Sequence, residues 1–252
     1  MKLRILGCNG AELPGHNSSA YLIDGTLLVD AGAVCSVLTV REQEAIRQIL
    51  VTHTHMDHVK GIPLLADNRC IGQTTLPFEV VGTRESIGAL RDHLFNDILW
   101  PDFTRLPDPE HPVVRYREIV PEEEFGIDGY RVIACRVNHT VPTVGYRITS
   151  GGSTLLFSGD TGSTERLWEL AEGVDALVVE VSFPNEQEDM AVVSRHLTAR
   201  QLGIELAKTR RLPGRILISH LKPQYLDVIS AEVAALGLPG VELLRDGAEF
   251  DF

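Results

Sequence analysis

The chain has 252 residues, of which 44% are hydrophobic and 23% are charged, so it can bury a core of the size found in one large domain. Its formal net charge of −12 argues against extensive contacts with nucleic-acid phosphates, which proteins make mainly through lysine and arginine. No stretch approaches the ~18 consecutive apolar residues that a membrane-spanning helix needs, and the first residues lack a signal-peptide pattern. We therefore expect a cytoplasmic protein without membrane contacts.

The first part of the chain is predicted to contain three strands, a helix and a fourth strand. Short runs rich in Leu, Ile and Val between turn-forming residues predict the first three strands, in "KLRILG", "SAYLID" and "GTLLVDAG". The apolar positions of "VREQEAIRQIL", residues 40–50, have helical spacing. The following "ILVT" is predicted as a buried strand that ends where several histidines begin.

A similar alternation of strands and helices returns in the second part of the chain. Strands are predicted for "YRVIACRVNHT", "TVGYRITSG", "STLLFSGD", "DALVVEVSF" and "GRILISH", and helices for "STERLWELAEGV" and "TARQLGIELAKTRRL". This alternation favours an α/β fold in which two sheets pack face to face with helices outside. We expect one domain over residues 1–252, with two similar halves of roughly 1–125 and 126–252 near the connector "IVPEEEFGIDG".

Titratable side chains crowd into "VTHTHMDHVKG", directly after the "ILVT" strand. This stretch supplies four candidate ligands, and three more stand at the ends of later predicted strands. The seven are His53, His55, Asp57, His58, His139, Asp160 and His220. Imidazole and carboxylate groups bind borderline divalent metals such as zinc. A lone histidine is usually exposed or hydrogen-bonded, but seven such groups in one cleft would be costly without a metal. The sequence therefore predicts a metal site.

The motif "HTHMDH", followed by "VNHT", "FSGDTG" and "LISHLKP", resembles the metallo-β-lactamase superfamily of dinuclear metallohydrolases over nearly the whole chain. The resemblance implies a four-layer αβ/βα sandwich of two mixed sheets with helices outside, and two divalent ions. We expect zinc, with manganese or iron as alternatives, because imidazole and carboxylate accept all three. The resemblance implies one ion on His53, His55 and His139, a second on Asp57, His58 and His220, and Asp160 as the bridge.

Two aspartates have further roles that the resemblance implies. Asp30, in "LLVDAG", matches an aspartate that usually supports the site through hydrogen bonds rather than binding metal. Asp57 is expected to orient the hydroxide that two metal ions hold as the nucleophile. Hydrolysis is therefore the predicted reaction class. The superfamily includes lactamases, thioesterases, lactonases, nucleases and phosphodiesterases, so the fold alone does not select the substrate.

A second resemblance points to the phosphodiesterase branch, which includes ribonuclease Z. In that branch a strand carries a glutamate and the next loop carries a histidine before "ST" or "LT"; these correspond to Glu180 and His196. A histidine oriented by a carboxylate can protonate the leaving oxygen of a phosphodiester. The alternative is a structural role, with Glu180 in a buried bond and His196 capping the helix that begins near Thr198. We favour the catalytic role, because lactamases and thioesterases do not need this pair.

The segment "LRDHLFNDILWPDFTRLP" is similar to a stretch of class II cyclic-nucleotide phosphodiesterases. Asn96, Trp100 and Phe103 in this segment are candidate substrate contacts, since a base can stack on aromatic side chains. Packing against the core or a subunit interface is an equal alternative for these aromatic residues. The resemblance also implies a homodimer.

We therefore predict a dinuclear metal phosphodiesterase that converts a small-molecule 3′,5′-cyclic nucleotide to its 5′-monophosphate. A tRNA 3′-processing endonuclease of the ribonuclease Z type is the first alternative. It would need a basic RNA-binding arm, whereas the insert between Arg69 and Arg136 is acidic. A hydrolase of a lactone or thioester is the second, and it has no evident use for His196. The preferred base is not determined by the sequence.

Overall fold

The computed structural model describes residues 1–72 and 76–252. The strands are β1 Lys2–Gly7, β2 Ala20–Ile23, β3 Leu27–Val29, β4 Gln48–Leu50, β5 Phe78–Thr83, β6 Val114–Ile119, β7 Glu124–Ile127, β8 Tyr130–Val137, β9 Thr143–Ser150, β10 Ser153–Phe157, β11 Ala176–Glu180, β12 Arg215–Ser219, β13 Val241–Leu243 and β14 Glu249–Asp251. The helices are α1 Val34–Val37, α2 Val40–Ala45, α3 Met56–Val59, α4 Gly61–Ile71, α5 Arg84–Ala89, α6 Arg166–Ala171, α7 Glu188–Ser194, α8 Ala199–Leu206 and α9 Leu226–Ala235. A π-helical turn covers Leu90–Leu94, and 3-10 turns cover Asn185–Gln187 and Pro223–Tyr225.

Within the described residues, the strands form two mixed sheets of seven strands each. The first has the order β14-β1-β2-β3-β4-β5-β6 and the second the order β13-β12-β11-β10-β9-β8-β7. In each sheet one side is antiparallel, and the other side, β3 to β6 or β10 to β13, is parallel. Because parallel strands end at the same edge of a sheet, the segments that follow β10, β11 and β12 emerge side by side.

Three clusters of buried apolar side chains fix the order of the layers. One cluster combines inward residues of both sheets, such as Ile5, Val29, Tyr146 and Leu217, and therefore lies between them. Each of the other two joins the outer face of one sheet to its helices. The four-layer αβ/βα sandwich predicted from the sequence is thus confirmed.

The predicted helix over residues 40–50 is wrong in its second half. Helix α2 begins at a capping box, in which the Thr39 side chain and Glu42 satisfy each other's backbone amides, but it ends at Ala45. Ile46 has an extended backbone, and β4 pairs with β3 on one side and β5 on the other. Completely buried Ile49 and Leu50 stabilise the strand, so packing in the sheet overrides the helical spacing.

The boundary between the sheets lies inside the predicted connector, between β6 and β7. The two sheets do not correspond exactly to the two halves of the chain, because the last strand, β14, pairs with β1 in the first sheet. The chain ends are therefore held together, and Phe252 donates a backbone hydrogen bond to Met1. In residues 1–72 and 76–252 we find no helix with the length and apolar character needed to cross a membrane.

Candidate metal centre

The candidate ligands lie in the segments that follow strands at one edge of the sandwich. His53 and His55 follow β4, Asp57 and His58 lie in the short helix α3, and His139 follows β8. Asp160 follows β10 and His220 comes directly after β12. The structure brings all seven together in two groups that share a boundary at Asp160.

The first group consists of His53, His55, His139 and Asp160. One ligand atom of each residue lies within 4.8 Å of the others. Nε2 of His53 is 3.6 Å and Nε2 of His139 is 3.9 Å from Oδ2 of Asp160. Nδ1 of His55 lies 3.2 Å from Nε2 of His139. These are the residues that the sequence assigned to the first ion, together with the predicted bridge.

The second group consists of Asp57, His58 and His220. Nε2 of His220 lies 3.2 Å from Oδ2 of Asp57 and 3.3 Å from Nε2 of His58. Oδ2 of Asp160 is also 3.4 Å from Nε2 of His58 and 3.2 Å from Nε2 of His220. A single oxygen of Asp160 therefore faces both groups, as a bridging ligand would.

The side chains behind the histidines point the free nitrogens into the cluster. Nδ1 of His58 hydrogen-bonds to Asp30 at 2.7 Å, and Nδ1 of His53 hydrogen-bonds to the Thr52 hydroxyl at 3.0 Å. Nδ1 of His139 donates to the carbonyl of Arg195 at 3.1 Å. When Nδ1 carries the proton, Nε2 keeps its lone pair for a metal.

Asp30, for which the resemblance implies a supporting role, hydrogen-bonds through one carboxylate oxygen to His58. Its other oxygen accepts a hydrogen bond from the Thr52 amide at 2.9 Å, and the Thr52 hydroxyl donates to the same carboxylate. The carboxylate therefore supports His58 directly and His53 through Thr52. Asp30 has a left-handed backbone, with φ 56°, a conformation that Asp adopts more readily than most residues.

The residues present fit a divalent metal pair. Nε2 of His53 is completely buried and has no hydrogen-bond partner within the described ranges, although it faces an aspartate oxygen. Leaving such a nitrogen unpaired is costly, and a metal ion would satisfy it. Five imidazoles and two carboxylates form a donor set suited to zinc and similar ions.

Burial and charge act in opposite directions on the ligands' pKa values. Burial lowers the pKa of His53 well below its usual value, so the ring is neutral, which is the form that binds metal. Burial by itself would raise the pKa of Asp160, but His220, His58 and His53 outweigh it and hold that pKa well below its usual value. The bridge position is therefore occupied by a carboxylate.

Glu180 and His196 adjoin the cluster without belonging to the seven. Glu180 is the last residue of β11 and is buried, and its Oε1 lies 2.7 Å from Nδ1 of His196. The Thr161 amide donates to the same Oε1 at 2.8 Å. His196 lies beside the ring of His220, with a centroid distance of 5.3 Å. The helix cap predicted near His196 is made by Thr198, whose side chain forms a capping box with Gln201.

Two residues that contact His220 were missed in the sequence. Ser182 is completely buried, and its hydroxyl lies 2.8 Å from Nδ1 of His220 and 2.7 Å from Glu180. A side chain added at Gly10 would come within 2.6 Å of the His220 ring, so only glycine fits there. Ser182 stands two residues after Glu180 in "EVSF", and this alternation is the local signal that could have identified it.

The three predicted substrate contacts are engaged elsewhere. Phe103 is buried in the apolar cluster between the first sheet and its helices, where its ring meets Phe95 edge to face. The Asn96 side chain donates to the Asp92 carbonyl and accepts from the amides of residues 98 and 99. Trp100 is partly buried and packs against the same cluster as Phe103. The structure therefore favours the packing alternative for Phe103 and a local turn for Asn96.

Comparisons with known proteins concern the family and the fold of the chain. The family model of the beta-lactamase superfamily domain matches residues 26–221. An uncharacterized protein of Mycobacterium leprae is 26% identical over 266 residues, covering 100% of this chain and 88% of that protein. Ribonuclease Z of Archaeoglobus fulgidus is 24% identical over 228 residues, covering 70% of each chain. The solved structure of yeast PDE1 matches with a TM-score of 0.82 at 18% identity and 98% coverage of each chain, which shows a shared fold.

Proposed function

The chain belongs to the metallo-β-lactamase superfamily, and on this premise we propose that it is a phosphodiesterase that hydrolyses 3′,5′-cyclic nucleotides to 5′-monophosphates. The superfamily contains hydrolases for several kinds of ester, so the premise alone does not select a phosphodiester. The choice rests on what this chain adds beside the seven candidate ligands.

The hydrogen bond between Glu180 and His196 carries the proposal. The His196 ring is 11% exposed and borders the cluster, and the carboxylate that holds its Nδ1 is buried. Nδ1 donates its proton to Glu180, so the second nitrogen of the ring, Nε2, is the one available to exchange a proton with a substrate. A phosphodiester leaves as an alkoxide, which is a poor leaving group unless it receives a proton.

The electrostatic surroundings of His196 suit a proton donor. Burial by itself lowers the pKa of His196, but the charge and hydrogen bond of Glu180, together with the charge of Asp160, outweigh burial and raise that pKa above its ordinary value. Glu180 also stabilises the positive charge that the protonated ring carries, as the carboxylate behind a catalytic histidine does in other hydrolases.

The seven clustered residues would hold the metal pair: His53, His55 and His139 on one side, Asp57, His58 and His220 on the other, and Asp160 between them. When bound, two divalent ions supply Lewis acidity, which neutralises phosphate charge and makes a water molecule acidic enough to react at neutral pH. We propose zinc, because five of the seven donors are imidazoles.

In the proposed reaction, water adds across the bond between phosphorus and the 3′ oxygen of the nucleotide. As the water oxygen bonds to phosphorus, one water proton is released to solvent and the bond between phosphorus and the 3′ oxygen breaks. His196 delivers a proton to the departing 3′ oxygen. His196 then regains a proton from solvent while Glu180 keeps the ring oriented. Asp57, whose side chain is 30% exposed at the open side of the cluster, accepts a hydrogen bond from the incoming water and orients it.

Sequence similarity to ribonuclease Z supports a second candidate, a tRNA 3′-processing endonuclease. That reaction would use the same Glu180 and His196. Two features support the smaller substrate instead: the formal net charge is −12, and the insert between Arg69 and Arg136 is acidic. Both would repel the closely spaced phosphates of an RNA.

A product assay tests the proposal directly. Metal-loaded protein is given 3′,5′-cyclic AMP and GMP, 2′,3′-cyclic nucleotides, bis(p-nitrophenyl) phosphate and a 3′-extended tRNA precursor. We expect rapid release of the 5′-monophosphate from a 3′,5′-cyclic nucleotide, and loss of that activity with a chelator. Cleavage of the tRNA precursor alone would establish the second candidate. Absence of turnover on every phosphate would overturn both.

A further inference from the structure

Ser182 lies at the junction between the proposed metal pair and the proposed proton donor. It follows β11 by two residues, and its side chain is completely buried. Its hydroxyl oxygen is 2.7 Å from Oε2 of Glu180, 2.8 Å from Nδ1 of His220 and 3.2 Å from Nδ1 of His196. It also lies 3.2 Å from the backbone carbonyl of His220.

The donors and acceptors around Ser182 allow one consistent assignment. A hydroxyl has one proton to donate, and an ionised carboxylate can only accept. The Ser182 proton therefore goes to Glu180, which is the nearest acceptor. Nδ1 of His220 must then donate to the Ser182 oxygen, because a lone pair there would face another lone pair. Nδ1 of His196 donates to Glu180 itself, at 2.7 Å.

This assignment fixes the tautomer of His220. With the proton on Nδ1, the lone pair is on Nε2, the atom that lies 3.2 Å from both Asp57 and Asp160. Within the described ranges, no group other than Ser182 forms a hydrogen bond with Nδ1 of His220. Gly10 lies close to the Nδ1 and Cε1 atoms of the ring, so it leaves the ring little room to move, but it offers no polar side chain that could set the tautomer.

We propose that Ser182 is a positioning residue that sets the metal-binding tautomer of His220 and at the same time orients the Glu180 carboxylate that holds His196. The first role concerns metal binding alone. The second role rests on the proposed function, because it concerns the proton donor of that reaction. Loss of the hydroxyl would thus weaken one ion site and loosen the proton donor together.

The first test measures metal binding without any substrate. Metal-free protein is titrated with zinc in competition with a chromophoric chelator, for the native chain and for Ser182→Ala, Ser182→Thr and Ser86→Ala. Ser86 is the matched control, because it is a buried serine on α5 whose hydroxyl accepts a hydrogen bond from Thr83, the N-cap residue of that helix. A residue behind a metal-bound histidine typically contributes about 10–100-fold to affinity.

We expect Ser182→Ala to bind one zinc ion as the native chain does and the second about 10–100-fold more weakly. Ser182→Thr keeps the hydroxyl and should restore most of that affinity, and Ser86→Ala should not change it. Circular dichroism verifies that each variant is folded. Native-like binding of both ions by folded Ser182→Ala would overturn the proposal.

A second measurement tests the tautomer of His220 without changing Ser182. Long-range ¹H–¹⁵N correlation spectra of the zinc-loaded native chain distinguish a protonated Nδ1 from a protonated Nε2. We expect His220 to carry its proton on Nδ1, with its signals assigned by their loss in His220→Gln. A proton on Nε2, with Nδ1 toward the metal, would overturn the proposal. Neither measurement uses a phosphodiester, so the tautomer assignment can fail or succeed independently of the proposed function.

Discussion

The Asp30 carboxylate lies 2.7 Å from Nδ1 of His58 and accepts the proton that this nitrogen carries. An Asp30→Asn substitution keeps the shape but presents an amide donor to a nitrogen that must itself donate. The His58 ring would then favour the other tautomer, in which Nε2 is protonated and cannot bind metal. We expect the second ion to bind about 10–100-fold more weakly, measured by zinc titration against a competing chelator.

Asp24→Asn is the matched control for this substitution. Asp24 also has a left-handed backbone, with φ 47°, but its carboxylate binds the Tyr130 hydroxyl and the Lys2 amide. Asn tolerates that backbone as well as Asp does, so neither variant should strain the turn. Equal loss of zinc affinity in both variants would mean that the effect at Asp30 is a general loss of stability.

His196→Ala should separate the proton donor from the metal ligands. We expect turnover of a 3′,5′-cyclic nucleotide to fall by ~10²–10⁴-fold, because the 3′ oxygen leaves without a proton. Hydrolysis of bis(p-nitrophenyl) phosphate should fall much less, since p-nitrophenolate leaves readily as an anion. Metal content, measured by mass spectrometry, should remain at the native value.

The exposed His111 provides the control for His196, because its contact is with Asp108. His111→Ala should leave both activities and the metal content unchanged. A loss of metal in His196→Ala would identify His196 as a ligand, a role that its proximity to Asp160 and His220 permits geometrically.

Asp160→Ala and His139→Ala should differ in how many ions they lose. One oxygen of Asp160 lies within 3.9 Å of His53, His58, His139 and His220, so its removal should weaken both ions. His139 belongs to the first group alone, so its removal should weaken one ion. Equilibrium dialysis followed by metal analysis measures the difference. Retention of two tightly bound ions by Asp160→Ala would contradict the bridging role.

The capping box of α2 predicts a pH-dependent contribution to stability. Hydrogen bonds from the Thr39 side chain and backbone, with the nearby Arg4, lower the pKa of Glu42 from 4.5 to about 2. A carboxyl group whose pKa is lower in the folded state stabilises the protein at every pH above its unfolded-state pKa. This contribution is lost as the pH falls through the folded-state pKa. The melting temperature of the native chain should therefore exceed that of Glu42→Gln by the largest amount above pH 4.5, and this difference should shrink between pH 4.5 and 2.

Thermal unfolding followed by circular dichroism at several pH values measures this difference. The one amide oxygen of Gln can still accept the hydrogen bonds from Thr39 but not the one from Arg4, so the comparison reports the charge of Glu42 together with its Arg4 contact. Glu123→Gln serves as a surface control, because Glu123 lies in an exposed turn before β7. A difference for Glu42→Gln that does not change down to pH 2 would contradict the lowered pKa.

The sequence was sufficient to predict where the strands at the site end and which types of residue follow them. "ILVT" before His53 and "GRILIS" before His220 are short apolar runs bounded by polar groups, and such runs predict buried strands wherever they pack. Chemical identity is also local information: five histidines and two aspartates are metal ligands by type. The sandwich followed the expectation, and the structure brings the seven predicted ligands together with Asp160 next to both groups. Their division between two ions stays a prediction from the family resemblance.

Other features depended on contacts between distant parts of the chain. The helical spacing of residues 40–50 extends the predicted helix over residues 46–50, although "ILVT" was also predicted as a strand, and pairing with β3 and β5 decided for the strand. The aromatic residues near Phe103 look the same in the sequence whether they face a substrate or the core, and packing against Phe95 decided for the core.

Sequence alone thus determined which side chains could bind metal and that strands would deliver them to one edge, because residue type and apolar runs are local properties. Only the tertiary structure decided which nitrogen is free in four of these histidines, His53, His58, His139 and His220. That choice depends on a partner far along the chain, as with Ser182 for His220 and the Arg195 carbonyl for His139. Hydrogen-bond geometry requires the two groups to be within about 3 Å, and the folding of both sheets brings them that close.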